Sequence, residues 1–183
     1  MLATQPRWVQ KLLRKAAGLC REVLAIDSEH ARAHANLGYA LNAGGDADGA
    51  ISAYRAAIAA GVQDAKAHRN LGVLLKERGD AAGGEAALRA AIAADPQYAR
   101  AHCNLSVILQ ERGDMAGAEA ACRAAIAADP LYADAHFNLG SVLGNDGDDA
   151  AAAAELAKAL QIDPTHAMAK QYLPLALQAM RER

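Results

Sequence analysis

The chain has 183 residues with 19 Lys+Arg against 21 Asp+Glu, a near-neutral balance that excludes the strong basic excess of a dedicated nucleic-acid binder. Ala supplies about a quarter of the residues, while Trp and Phe occur once each, which excludes a bulky aromatic core and with it a conventional β-sandwich or barrel. Ala has the highest helix propensity and adds little volume, so the composition specifies closely packed helices.

Charges interrupt every Ala-rich stretch, and no apolar run approaches the roughly 18 residues of a membrane span. A soluble, cytoplasmic chain with no membrane partner is expected. Cys20, Cys103 and Cys122 form neither a C-x-x-C pair nor an even disulfide framework, so they read as packing residues in a reducing compartment.

Along the chain, residues 1–30 come first. Arg7, Lys11, Arg14 and Lys15 lie opposite Trp8, Leu12, Ala16 and Cys20, an acid-poor amphipathic pattern that organelle presequences share. The preferred reading is a first helix of the fold, whose apolar face seals the end of the repeated region beginning at residue 31.

From residue 31 the sequence repeats itself. His34, His68, His102 and His136 recur at a step of 34 residues, as do Asn36, Asn70, Asn104 and Asn138. Leu41, Leu75, Leu109 and Leu143 keep the step, and Gly45, Gly79, Gly113 and Gly147 are each followed by Asp. Fixed self-similarity of this length means stacked supersecondary units. In each repeat, apolar residues at 37 and 41, then at 50, 54, 57 and 58, hold one helix face, which gives two antiparallel helices. The Gly-Asp step is the turn between them: Gly takes the left-handed conformation that closes the first helix, and Asp accepts from the orphan N–H groups opening the second. Asp95-Pro96, Asp129-Pro130 and Asp163-Pro164 stop the second helices, because proline disfavours a helical residue before it. Small residues at Gly38, Gly72, Ser106 and Gly140, opposite Ala50, Gly84, Ala118 and Ala152, let the two axes approach. The pairs Glu85/Arg89 and Glu119/Arg123 are favourably oriented at i,i+4 and mark the solvent face of the second helix.

These positions resemble the tetratricopeptide repeat, with His34 in its Trp slot, then Leu37, Gly38, Leu41 in the Tyr slot, Ala50, Tyr54 in the Phe slot and Ala57. The resemblance implies an all-α, right-handed superhelical solenoid of antiparallel helix pairs. Four full repeats (about 31–64, 65–98, 99–132 and 133–166) cover 31–164. Gly61-Val62 departs from the Asp-Pro of the pattern, so a looser joint is expected there. Residues 6–27 fit the second helix of a partial repeat, with Cys20 in the Phe slot and Asp27 in the Asp slot, a register that argues against a cleaved presequence. Residues 165–183 look like a terminal solvating helix that Pro174 must kink or split.

The resemblance also implies a concave wall lined by the first helices. There Asn36, Asn70, Asn104 and Asn138 form a row of amides able to donate and accept, suited to the backbone of an extended peptide. The competing reading is that these residues satisfy neighbouring helix ends or face water. Asn is locally unfavourable inside a helix, which favours the ladder. The run A-H-x-N-L, followed by Gly or Ser, is similar to the repeats of O-linked N-acetylglucosamine transferases, whose asparagine ladder holds substrate peptides. Arg32, Lys66, Arg69 and Arg100 flank the row in the earlier repeats and Asp134 takes their slot later, so the N-terminal part is basic and suits an acidic segment or a C-terminal carboxylate. The carboxylate clamp of co-chaperone repeats is only partly present, because Tyr39 and Val73 stand where it wants Asn.

One His per repeat places successive rings about 9 Å apart, too far to share one metal ion. The histidines read as replacements for an aromatic packing residue. Asp46-Ala47-Asp48-Gly49 and Asn145-Asp146-Gly147-Asp148-Asp149 lack the full calcium-loop spacing and read as helix caps. No Walker loop, dinucleotide glycine signature or nucleophile elbow is present, so neither cofactor nor catalysis is expected. The expectation is a non-catalytic scaffold binding an extended peptide or partner helix. Two alternatives stand beside it: the substrate-recruiting region of a glycosyltransferase, and a structural solenoid that self-associates through its ends.

Overall fold

The computed structural model describes residues 6–61 and 63–182, leaving residues 1–5, Val62 and Arg183 outside the described part. The described residues form α1 (Arg7–Ile26), α2 (Ala31–Ala43), α3 (Ala47–Ala59), α4 (Ala65–Glu77), α5 (Ala81–Ala94), α6 (Ala99–Glu111), α7 (Met115–Ala128), α8 (Ala133–Asn145), α9 (Asp149–Ile162) and α10 (Ala167–Glu182). They fall into two compact units, Met1–Ala94 and Asp95–Arg183.

In the first unit α2 pairs with α3 and α4 with α5, while α1 lies on α2. The pairing rests on the turn that the sequence announces. Gly45 and Gly79 take φ of 87° and 85°, and the N–H groups of Asp46 and Asp80 reach back to Leu41 and Leu75 carbonyls at 2.9 Å, closing the first helix. Asp46 Oδ1 then accepts from the Gly49 N–H at 2.9 Å and Asp80 Oδ1 from Gly83 at 2.8 Å, opening the second. Tyr54 and Leu88 fill the space between the paired helices and are almost wholly buried, joined by Leu71, Leu74 and Leu75. At the joint between the first two repeats Gly61 takes φ 89°, and Asp64 accepts from the Lys66 N–H at 2.9 Å; the Val62 half of the departure lies outside the described residues.

The second unit repeats the construction with α6 on α7 and α8 on α9, and α10 packs on α9. Gly113 and Gly147 take φ of 85° and 86°, and Asp114 and Asp148 cap α7 and α9. Ile108, Cys122, Val142 and Leu156 are at most 2% exposed. Burial pushes the Cys122 thiol up to about 11, so it is an inert packing group.

Three expectations are corrected. Three of the four repeat histidines are not simple stand-ins for an aromatic ring: His34 Nε2 donates to the Ser28 carbonyl at 2.9 Å, His102 to Pro96 at 2.9 Å and His136 to Pro130 at 3.2 Å. Each ties its helix to the turn six residues before it, a polar role that periodicity alone does not distinguish from packing. The pair Glu85/Arg89 forms, but only its Arg89 end marks the solvent face, because Glu85 is 5% exposed. Of the two outcomes expected at Pro174, a kink or a split, the split does not occur: α10 continues to Glu182. Finally, α1 turns Leu13, Ala17 and Leu24 toward the protein and leaves Trp8 67% and Leu12 56% exposed, the reverse of the sealing face expected for it.

Candidate functional site: the first-helix faces

Residues four apart on a helix share a face, and on α2 this brings Arg32 and Asn36 together, both exposed. With Ala35 of α2 and Gln63 and Asp64 from the turn before α4 they enclose a depression of about 340 Å³. Tyr39, one turn further along α2, is 64% exposed. On α4, Lys66 is exposed and Arg69 is half-buried. The first unit therefore carries three of the four cations named from sequence.

Asn70 is used differently from Asn36. Its Nδ2 donates to the Tyr54 hydroxyl at 3.1 Å, and its Oδ1 accepts from Arg69 Nη1 at 2.9 Å. The amide thus links α4 to α3 and aims the guanidinium. Burial, opposed by the Asn70 hydrogen bond, raises the Tyr54 hydroxyl above its ordinary value, so it stays protonated.

In the second unit Arg100 is exposed on α6 and Asn104 is half-buried, with its Nδ2 covered and without a hydrogen-bond partner among the described residues. On α8, Asn138 Nδ2 points at Cys103 Sγ, 3.1 Å away, and at Ser106 Oγ, 3.4 Å away, which spends its donor on the neighbouring α6. Asp134 accepts from His166 Nε2 at 3.1 Å, and His166 also lies against Phe137 with ring centroids 5.0 Å apart. The acid in the cation slot is therefore held by the residue just before α10.

The repeat architecture is matched directly. A family model described as Tetratricopeptide repeat matches residues 8–65, 44–99, 69–133 and 110–167. The chain belongs to the tetratricopeptide repeat family. No curated protein sequence matches it. Among solved structures, YrrB, described as a TPR protein with an unusual peptide-binding site, is 23% identical with a TM-score of 0.76, covering 88% of this chain and 83% of its own. MamA is 22% identical with a TM-score of 0.77, over 85% of this chain and 91% of its own. The first tetratricopeptide domain of Spaghetti (RPAP3), bound to the HSP90 peptide SRMEEVD, is 20% identical with a TM-score of 0.63, over 65% of this chain and 94% of its own. At these identities the likeness establishes the fold.

One cluster in this tetratricopeptide chain has the components of an acid–base dyad. His136 Nδ1 lies 2.7 Å from Glu155 Oε2, and Lys158 Nζ lies 2.7 Å from Glu155 Oε1. Burial raises the Glu155 carboxyl, but hydrogen bonds from Lys158 and His136 outweigh it and hold the group below its usual range. His136 Nε2 is already given to the Pro130 carbonyl and the ring is 6% exposed, so the group is a tie between α8 and α9 and not a base facing a substrate. Sequence reasoning passes over this tie, although a signal exists: Glu155 stands where the other repeats have Ala53, Ala87 and Ala121. For the Asn70–Tyr54 bond the only signal is that Tyr54 occupies a slot filled elsewhere by Leu or Cys.

Proposed function

We propose that this tetratricopeptide protein is a non-catalytic interaction module that receives an extended peptide along its first-helix faces. The observation that carries the reading is the exposed pair Arg32 and Asn36 in one depression, an amide beside a cation with neither given a side-chain hydrogen bond within the described residues. Asn36 reads the peptide main chain, and Arg32, with Lys66 and Arg69 on α4, selects an acidic side chain or a terminal carboxylate. Asn70 serves that site by aiming Arg69. Arg100 and Asn104 give the second unit a cation and an amide of its own, while Asn138 retains its carbonyl oxygen as an acceptor. The peptide bound to Spaghetti and the peptide-binding site named for YrrB support an interaction role at the level of the fold. In this reading the two complete helix pairs of each unit carry that unit's binding face, and α1 and α10 are half-repeats beside them.

The amide recurring at 36, 70, 104 and 138 also favours a second reading, in which the chain recruits substrate peptides in the manner of O-linked N-acetylglucosamine transferase repeats. Both readings place the peptide on Asn36 and the first-helix faces.

The test is capture from native extract on the immobilised chain, in parallel with an Arg32→Ala, Asn36→Ala double variant, with bound proteins identified by mass spectrometry. Proteins lost on the double variant, and released by raised salt as an acidic ligand should be, establish the depression as the binding site. Identical sets on both surfaces refute it.

A further inference from the structure

We infer that α10 of one copy and α1 of a second copy pair to form a complete tetratricopeptide repeat, so that the protein associates head to tail. This association does not depend on the peptide site.

Position by position, α1 is a second helix whose first helix is missing among the described residues. In α3 the residues Ala50, Tyr54 and Ala57 are at most 1% exposed. Their counterparts 34 residues earlier are Ala16, Cys20 and Val23; Ala16 is exposed, Cys20 half-buried and Val23 39% exposed. Trp8, Leu12 and Leu19, at 67%, 56% and 52% exposure, continue the same bare stripe, since their spacing returns to one side of the helix. Conversely, among the described residues α10 is a first helix with no second helix paired to it. Leu173, Pro174 and Leu177 stand 34 residues after Leu139, Gly140 and Leu143, the face that α8 turns to α9; here Leu173 packs against Leu156, Ala159 and Ala169 of its own chain, while Pro174 is exposed and Leu177 is 43% exposed. Every copy therefore carries both halves of one interface.

The connections argue that the missing halves come from another molecule. Each complete repeat turns through Gly-Asp. The corresponding residues at the start of α1 are Lys11-Leu12, and the helix runs straight through them from Arg7. Those at the end of α10 are Arg181-Glu182, still helical. Neither helix is joined to a complement by the turn that the other repeats use.

Side-chain volume at the crossing agrees. Where the first helix supplies Gly, at 38, 72 and 140, the second supplies Tyr54, Leu88 and Leu156, close enough that a Cβ on the glycine would meet them at 2.8, 2.8 and 2.9 Å. Where the first helix supplies the larger Ser106, the second supplies the small Cys122. The intermolecular pair would set Pro174 opposite Cys20, a larger residue facing a small one by the same rule. A face joined to a different face, as here, is a heterologous contact, and it adds copies in one direction.

Sedimentation velocity and light scattering on the full chain test this. The wild type is expected to gain mass with concentration in multiples of 19.0 kDa. Leu19→Glu disables α1 and Leu177→Glu disables α10; both sites are already exposed, so the variants keep the fold, which circular dichroism checks. Each variant alone is expected to be monomeric, and an equal mixture is expected to give dimers and nothing larger, because one intact α10 and one intact α1 remain. A wild type that stays monomeric at millimolar concentration overturns the inference. So does a mixture that stays monomeric, or association that persists in either single variant. The Arg32→Ala, Asn36→Ala variant is expected to keep the wild-type mass, which separates failure of this interface from failure of the peptide site.

Discussion

Gly72 faces Leu88 across the α4–α5 pair so closely that a Cβ at residue 72 would lie 2.8 Å from Leu88 Cγ and 2.9 Å from the Gly84 carbonyl oxygen. A side chain can turn away, but the carbonyl belongs to the α5 backbone and cannot. Helix propensity favours Ala over Gly by about 1 kcal/mol, whereas overpacking costs about 1–3 kcal/mol, so Gly72→Ala is expected to lose up to about 2 kcal/mol net. Gly144→Ala is the contrast. A Cβ there meets only Ala152 Cβ at an ordinary 3.6 Å, so this substitution is expected to gain about 1 kcal/mol. Denaturant unfolding of the two variants should show shifts of opposite sign; equal signs would sink the account of the crossing.

Ser106 and Cys122 supply a reciprocal test. Cys122 is fully buried, so Cys122→Leu overfills the α6–α7 crossing and is expected to cost about 1–3 kcal/mol. Adding Ser106→Gly recreates the Gly–Leu pairing of the second and fourth repeats. In a double-mutant cycle the pair should be less destabilised than the sum of the single changes, by at least about 0.5 kcal/mol. Strict additivity would show that the two positions do not share the space.

Glu155 predicts a pH dependence. Its folded-state carboxyl is held below the ordinary value of 4.5, so the folded state binds fewer protons than the unfolded one in that range. The resulting stability is fully present above pH 4.5 and is lost as pH falls through the folded-state value. Glu155→Gln should remove this component and flatten the acid limb of a stability–pH curve. At neutral pH it is expected to cost about 1.5–3 kcal/mol, the range of hydrogen bonds to charged groups. An unchanged acid limb would assign the acid sensitivity to other carboxylates.

Asn70 and Tyr54 separate structure from binding. Tyr54→Phe deletes the acceptor of the Asn70 amide and is expected to cost about 0.5–1.5 kcal/mol. Asn70→Ala deletes the donor and also frees Arg69, so its stability loss should overlap with that of Tyr54→Phe in a double cycle. Fully independent losses would mean that the hydrogen bond carries none of the effect.

The helix pairs and their joints are legible in the amino-acid order alone. The Gly-Asp turns, the Asp caps and the small residues that let the paired axes approach are local or recur at a fixed step, and a repeat writes the same physical requirement several times along one chain. The face of each first helix is legible for the same reason, which is why Arg32 and Asn36 can be named without knowing the depression between them. How each side chain of the row is spent emerges only from the packed fold. Asn70 and Asn138 occupy the same repeat position as Asn36, yet their amides are engaged by Tyr54 in one case and by Cys103 and Ser106 in the other, while Asn36 stays exposed. The orientation of α1 is hidden too, because an amphipathic pattern gives two usable faces and only packing on α2 selects Leu13 and Ala17 over Trp8 and Leu12. Periodicity fixes which positions share a face; the neighbour packed against that face, often from another repeat, fixes what each residue there does.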